Sequence, residues 1–246
     1  FTKLSTAQID SLSATQVRAI AAQNISYLGS EQIQALNTSA VSGLTTSQLT
    51  QLTTAQIKAV STEQMRALTA SQVTAMTTAQ AGALSADQLS ALGVSALGAM
   101  SRFNIEALSN TTISALSTSV IRSLSNTQIS GISTSQLSVL SDEQVKSITS
   151  SQLNSFSPTL FTKLSGSQLQ AIDVSTFSAI TPSLIAYLSK DQIPSLTVSQ
   201  VGGMTTAQIR TFSQDMLDSM TSDQASALTA AQKAAIVVGG RTVPGA

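Results

Sequence analysis

Hydroxyls and primary amides are the reactive groups this chain offers most often, and they recur on a fixed spacing. From Ser5 onward a Ser or Thr returns every eight residues in 24 of 29 repeats, and the position three residues later is Gln in 19 of the 29. A hydroxyl becomes a nucleophile only beside a base, and the chain has no His and no Cys. Those absences also remove thiolate chemistry, soft metal ligands and disulfides. The acidic pairs Asp142-Glu143 and Asp215 with Asp218 lack the glycine-turned oxygen cluster of a calcium loop. Asn24, Asn37 and Asn110 match the N-x-[ST] sequon, a match that chance supplies readily in a Ser/Thr-rich chain. Position-3 residues such as Thr6, Ala14, Ser30, Arg102, Pro158 and Lys190 are too mixed for an outward threonine ladder. No convergent acid, base, nucleophile or metal set is visible. The expectation is a non-enzyme with no catalytic, cofactor-binding or metal residues.

Charge narrows the partners. Twelve basic and 12 acidic residues among 246 leave a net charge of zero and a charged fraction of 10 %, against an ordinary ~25 %. Nucleic acid and acidic lipid are therefore not expected as partners. No stretch of about 18 apolar residues is present, so membrane insertion is not expected either.

The elements that carry these groups follow from the repeat. Stepping by eight from Leu4 through Leu12, Ile20 and Leu28 to Leu228 and Ile236 meets a large apolar residue every time, with no insertion or deletion. With Leu4 as position 1, the consensus is L-[ST]-x-x-Q-[ILV]-x-[AS]. Position 6 is apolar in 28 of the 29 octads, Lys233 being the exception, and position 8 is Ala, Ser or Gly in 23. Apolar spacings of five and three suit neither a straight helix nor a straight strand. The chain must bend once per octad.

Position 2 places the bend. Ser and Thr there are helix N-caps, and Gln three residues on completes a capping box, as in Ser5 with Gln8, Thr53 with Gln56 and Ser141 with Gln144. Leu4 and Ile9, before and four after the cap, are spaced as a hydrophobic staple. Pro158 and Pro182 fall at position 3, the first helical turn, where a missing N–H costs nothing. Seven acids occupy position 4 and six bases position 7, as the helix dipole favours. Pro194, at position 7, breaks the rule and should distort its octad.

Ordering eight residues costs roughly 8–16 kcal/mol, while burying two large side chains returns only ~3–6 kcal/mol. Neighbouring octads must supply the rest. The spacing predicts an all-α solenoid of very short helices, one per eight-residue repeat, with positions 1 and 6 inside and position 8 small where helices approach closely. A β-solenoid with one bend per octad is the alternative, and it leaves the capping columns without a role. A single array is expected over 1–236, starting in mid-repeat, with 237–246 as a C-terminal cap or linker. Octads from Gly93 to Val120 lack the Gln and are expected to be looser.

The stretch Leu12-Ser13-Ala14-Thr15-Gln16-Val17-Arg18-Ala19-Ile20 resembles the opening of a TAL-effector repeat, which also starts a helix. The long second helix and basic surface of that family are missing here, so only the helix carries over. The octads as a whole are similar to octapeptide-repeat tracts of long, low-charge bacterial secreted or surface repeat proteins. That resemblance, with the low charge and absent Cys, implies an extracellular or cell-surface location. Near-identical octads, whose stacking can continue from one copy into the next, point to a structural role as a filament subunit or a surface stalk or adhesin segment, with end-to-end self-association. A solenoid module gripping a peptide or glycan along one face is the alternative. A gripping face calls for a stripe of aromatics or charge, and Tyr27 and Tyr187 are the only tyrosines.

Overall fold

The structure is a computed structural model that describes residues 3–243. Among these residues every regular element is helical, 28 short α-helices and one 3₁₀ turn, with no strand. The chain is thus an all-α array and not the β-solenoid alternative. Each α-helix begins at position 3 of its octad, from Thr6–Asp10 to Ala230–Val238. Where the sequence reads as one uninterrupted array, the structure divides into two compact units at Ile132/Ser133. Each is built on the same octad frame.

One octad shows how the residues make the element. Ser61 is extended (φ −72°, ψ 162°), and its hydroxyl accepts from the Gln64 N–H at 3.2 Å. Gln64 Oε1 accepts the Ser61 N–H in return at 2.9 Å. The helix Thr62–Ala67 carries Glu63 in its first turn and Arg66 in its last, each complementing the dipole. It stops at Leu68, which turns back to extended backbone (φ −66°, ψ 133°) while its N–H donates to the Met65 carbonyl at 3.2 Å. The next cap, Thr69, follows at once. Met65 and Leu68 are both buried.

The core follows the two apolar columns. Position 6 is buried in every octad from Ile9 to Leu217. Leu4, Leu12 and Ile20 at position 1 are half-buried, whereas Leu28, Leu36 and Leu44 are buried. Each helix packs chiefly on the third helical segment along the chain, as Ala14–Arg18 does on Thr38–Gly43 and Asp142–Lys146 on Gly166–Ala171. Within each unit, successive octads therefore wind into coils that lie on one another.

Exceptions to the consensus report on its physics. Pro158 and Pro182 occupy the first turn of their helices, Pro158–Phe161 and Pro182–Ile185. Pro194 lacks the N–H that an α-helical residue would give to the carbonyl four back, and its octad forms only the 3₁₀ turn Ile193–Ser195. At the end of the array Val237 stands where a cap belongs. With no hydroxyl to turn the chain, the last helix runs on to Val238, one residue before Gly239 and the left-handed Gly240 (φ 73°). The boundary read at 236/237 thus falls within a helix.

Candidate functional site: the amide seam between coils

The Gln column is the constellation that the fold brings together. Gln8 and Gln16 are exposed and Gln32 and Gln192 half-buried, but the other members of the column are almost wholly withdrawn from solvent, Gln48 and Gln200 at 1 % exposure and Gln208 at 0 %. A buried amide must satisfy both its oxygen and its two N–H groups. Oxygen and nitrogen do different jobs. Gln64 Oε1 caps its own helix, while Nε2 donates to the carbonyls of Ile33 (2.7 Å) and Leu36 (2.6 Å) in the preceding coil. Both carbonyls lie at the C-terminal end of a helix, where Ile33 O also accepts the Leu36 N–H at 3.2 Å.

This clamp recurs residue by residue. Gln48, Gln56, Gln72, Gln80 and Gln88 each donate to the carbonyls 31 and 28 residues earlier, at 2.7–2.9 Å. In the second unit Gln168, Gln200, Gln208, Gln224 and Gln232 do the same. A reach of 28 residues is three and a half octads, which sets the pitch of a coil. Even in the octad that Pro194 distorts, Gln192 caps Ser189 and donates to the Thr162 and Leu164 carbonyls.

Substitutes appear where Gln is absent. Ala40 cannot donate, and the cap residue Asn37 instead sends Nδ2 to the carbonyls of Asp10 and Leu12, while its Oδ1 accepts from Ala40 N–H. Asn104 reaches one carbonyl, Met76, at 3.2 Å, and the Thr112 hydroxyl reaches Leu84 at 2.8 Å. Met216 takes over only the capping half, its sulfur 3.4 Å from Ser213 N. Near the end of the array, Arg241 Nη1 donates to the Phe212 carbonyl.

Small residues at position 8 let the coils approach, as their spacing predicts. A Cβ on Gly43 would lie 2.6 Å from the Ala14 Cβ, and one on Gly131 would lie 2.6 Å from the Arg102 carbonyl oxygen. Both neighbours sit at position 3, 29 residues earlier.

The residues considered for chemistry are dispersed by the same frame. Asp142 and Glu143 lie exposed in one helical first turn, and Asp218 accepts from Gln214 Nε2. Asn37 is occupied in the seam, Asn24 lies within Ala22–Ile25, and Asn110 opens Asn110–Ser114. Tyr27 and Tyr187 are exposed and sit in different units. Asp173 is an N-cap whose carboxylate accepts from Ser175 Oγ and from Thr176 N–H and Oγ1, which lowers its pKa from 3.8 to about 2. Open clefts lie on the outside between coils, one of about 620 Å³ lined by Thr6, Asp10, Asn37 and Glu63. Among the described residues no three acids come close enough to hold a metal ion, and no helix is long and apolar enough to cross a membrane.

Residues 25–62 and 57–94 each match the family described as the ALTTAQ repeat. The two matches start at Ile25 and Ile57, both at position 6 and 32 residues apart, so one match is offset from the other by four whole octads. A repeat tract in that register is therefore present over residues 25–94. No curated protein matches the chain.

The inter-coil half of the Gln was not read from the sequence, although a signal for it exists. Glu completes a capping box as well as Gln does, yet no octad has Glu at position 5. A column that accepts Gln and never Glu asks for a donor.

Proposed function

We propose that this chain is a structural protein, a rod-like repeat array that serves as a filament subunit or as a stalk or adhesin segment at the cell surface. One observation carries the reading. Every column that recurs is consumed by the array itself: position 1 and position 6 by the core, position 2 by caps, position 5 by caps and clamps, position 8 by close approach. Positions 3, 4 and 7 are exposed or half-buried and vary. A surface selected for one ligand along its length would show the reverse.

The seam is also self-similar. Each coil offers helix-end carbonyls on one side and Gln amides on the other, so a further coil of the same repeat, in the same chain or another copy, meets the partners it needs. Heterologous contacts of that kind propagate without closing, which supports end-to-end self-association. A non-enzymatic role fits the lack of His and Cys. A secreted or surface location rests on the low charge and the resemblance of the octads.

Negative-stain microscopy and light scattering of the purified chain over a range of concentrations test this. Uniform fibres are expected for a filament subunit. Strict monomers at high concentration would exclude self-assembly and leave the tandem-segment role. Abolition of binding to a defined partner by scanning positions 3, 4 and 7 would favour the gripping module instead. Recovery of the protein only inside cells would remove the surface location.

A further inference from the structure

The clamp is not evenly distributed in the first unit. In the six octads from Leu44 to Ala91, each Gln holds two carbonyls of the coil before it. In the next four, from Leu92 to Ser123, position 5 is Ala96, Asn104, Thr112 and Val120. Ala96 and Val120 have nothing to donate, and Asn104 and Thr112 hold one carbonyl each. Two bonds stand where a full set of clamps would place eight. The apolar columns do not weaken in step, for Leu97, Ile105, Ile113 and Ile121 are all buried. The helices Val94–Gly98, Arg102–Ala107, Asn110–Ser114 and Thr118–Ser123 are likewise complete.

We propose that the seam beneath the octads from Leu92 to Ser123 is a release point, where successive coils of residues 3–132 separate before they separate anywhere else in that unit. Apolar contact tolerates sliding, whereas a two-carbonyl amide clamp holds one register. A seam kept closed by the first and nearly without the second opens as a unit, with the octads on either side still folded. In a protein that transmits tension, coils would part there first and close again when the tension falls. That use rests on the structural reading above. The opening itself does not, so exchange kinetics test the device and the assembly assay tests the reading.

Hydrogen exchange of the intact chain, followed by mass spectrometry, reads the opening. Amides of the helices between Val94 and Ser123 are expected to exchange about tenfold or more faster than those of Thr46–Thr50 and Thr54–Ala59, whose octads are clamped by Gln on both sides. Ala96→Gln with Val120→Gln should restore two clamps and slow the first set about tenfold. Conversely, Gln72→Ala should make the helices around it exchange as the clamp-poor ones do. Equal exchange in the two regions of the unaltered chain would overturn the proposal. So would a folded Ala96→Gln/Val120→Gln protein, with unchanged circular dichroism, whose exchange in this region is no slower.

Discussion

Residues 44–91 and 92–123 share their helices and their core, and apart from the cap at Gly93 they differ in one column. Both have a helix in each octad, and in both position 6 is buried throughout. They part at position 5, where one has six Gln in succession and the other none. The difference separates two tasks that the octad combines. Caps and apolar columns make the local element and its core, and they tolerate many residues. Holding one coil in register on another needs a group that accepts once and donates twice from the same planar end, and Gln is the side chain of suitable length that does so.

The sharpest way to break the comparison is to keep the cap and invert the clamp. Gln64→Glu retains the oxygen that accepts Ser61 N–H but sets a carboxylate against the Ile33 and Leu36 carbonyls at a position that is 3 % exposed. A buried charge facing acceptors is among the costliest single changes, so a loss of about 3 kcal/mol or more is expected in urea denaturation. Burial and the facing carbonyls should raise the pKa of the new carboxyl above its unfolded value. Its protonated form is then favoured in the fold, so the penalty should shrink as pH falls toward 5. A flat dependence, or a cost no larger than Gln64→Ala, would show that the two carbonyls do not govern this position.

Overpacking comes next. Gly43→Ala puts a methyl 2.6 Å from the Ala14 Cβ, in a seam that Asn37 holds through the Asp10 and Leu12 carbonyls, and about 2 kcal/mol is expected to be lost. Gly131→Ala meets the Arg102 carbonyl oxygen at the same distance, where Gln128 clamps the neighbouring Leu97 and Met100 carbonyls. Backbone held in that way cannot move aside, and at least the same cost is expected. A much smaller loss by thermal unfolding would mean that the Gln128 clamp leaves these coils free to shift.

Much of this was legible in eight residues, because caps, staples and first-turn prolines act within one octad. Ser61 with Gln64, Pro158 and the disturbance at Pro194 are all local physics. Which coil lies on which is not local. Nothing in the octad that starts at Val60 names Ile33 or Leu36 as the partners of Gln64, since every octad offers the same two carbonyls at its helix end. The pitch of three and a half octads emerges from packing as a whole. Asn at position 2 is a good cap on local grounds alone, but nothing local marks Asn37 as the stand-in for Ala40, because its second bond runs to a coil 25 residues earlier.

Removing a cap should cost less than disturbing the seam, and unequally. Ser61→Ala takes away one acceptor from Gln64 N–H, a typical loss of about 1 kcal/mol. Because Gln64 remains clamped to two carbonyls, its Oε1 still fixes the start of the helix. Ser109→Ala removes both the cap of Thr112 N–H and the hydroxyl that pairs with Thr112 Oγ1, and Thr112 is the group that reaches Leu84. The second substitution should therefore cost more than the first in equilibrium denaturation, and the reverse order would uncouple cap from seam.

The smallest effect expected is a pH dependence at Asp173. It is an N-cap of the second unit that sits in an octad whose position 5 is Thr176 and not Gln, and Thr176 Oγ1 bonds back to the cap at 2.8 Å. The Ser175 hydroxyl and the Thr176 N–H hold its carboxylate in the charged form, with a pKa of about 2 against 3.8. A folded-state pKa below the unfolded one means that the fold binds the proton less readily than the unfolded chain does. The stability this contributes is complete above about pH 4 and is lost as pH falls from there through 2. The side chain is exposed, so solvent screens much of the effect. Asp173→Asn keeps an accepting oxygen for Thr176 N–H and removes the titration. Stability measured between pH 5 and pH 2 should then decline less steeply for Asp173→Asn than for the unaltered chain, and parallel declines would mean that the capping bonds at Asp173 do not hold its proton off.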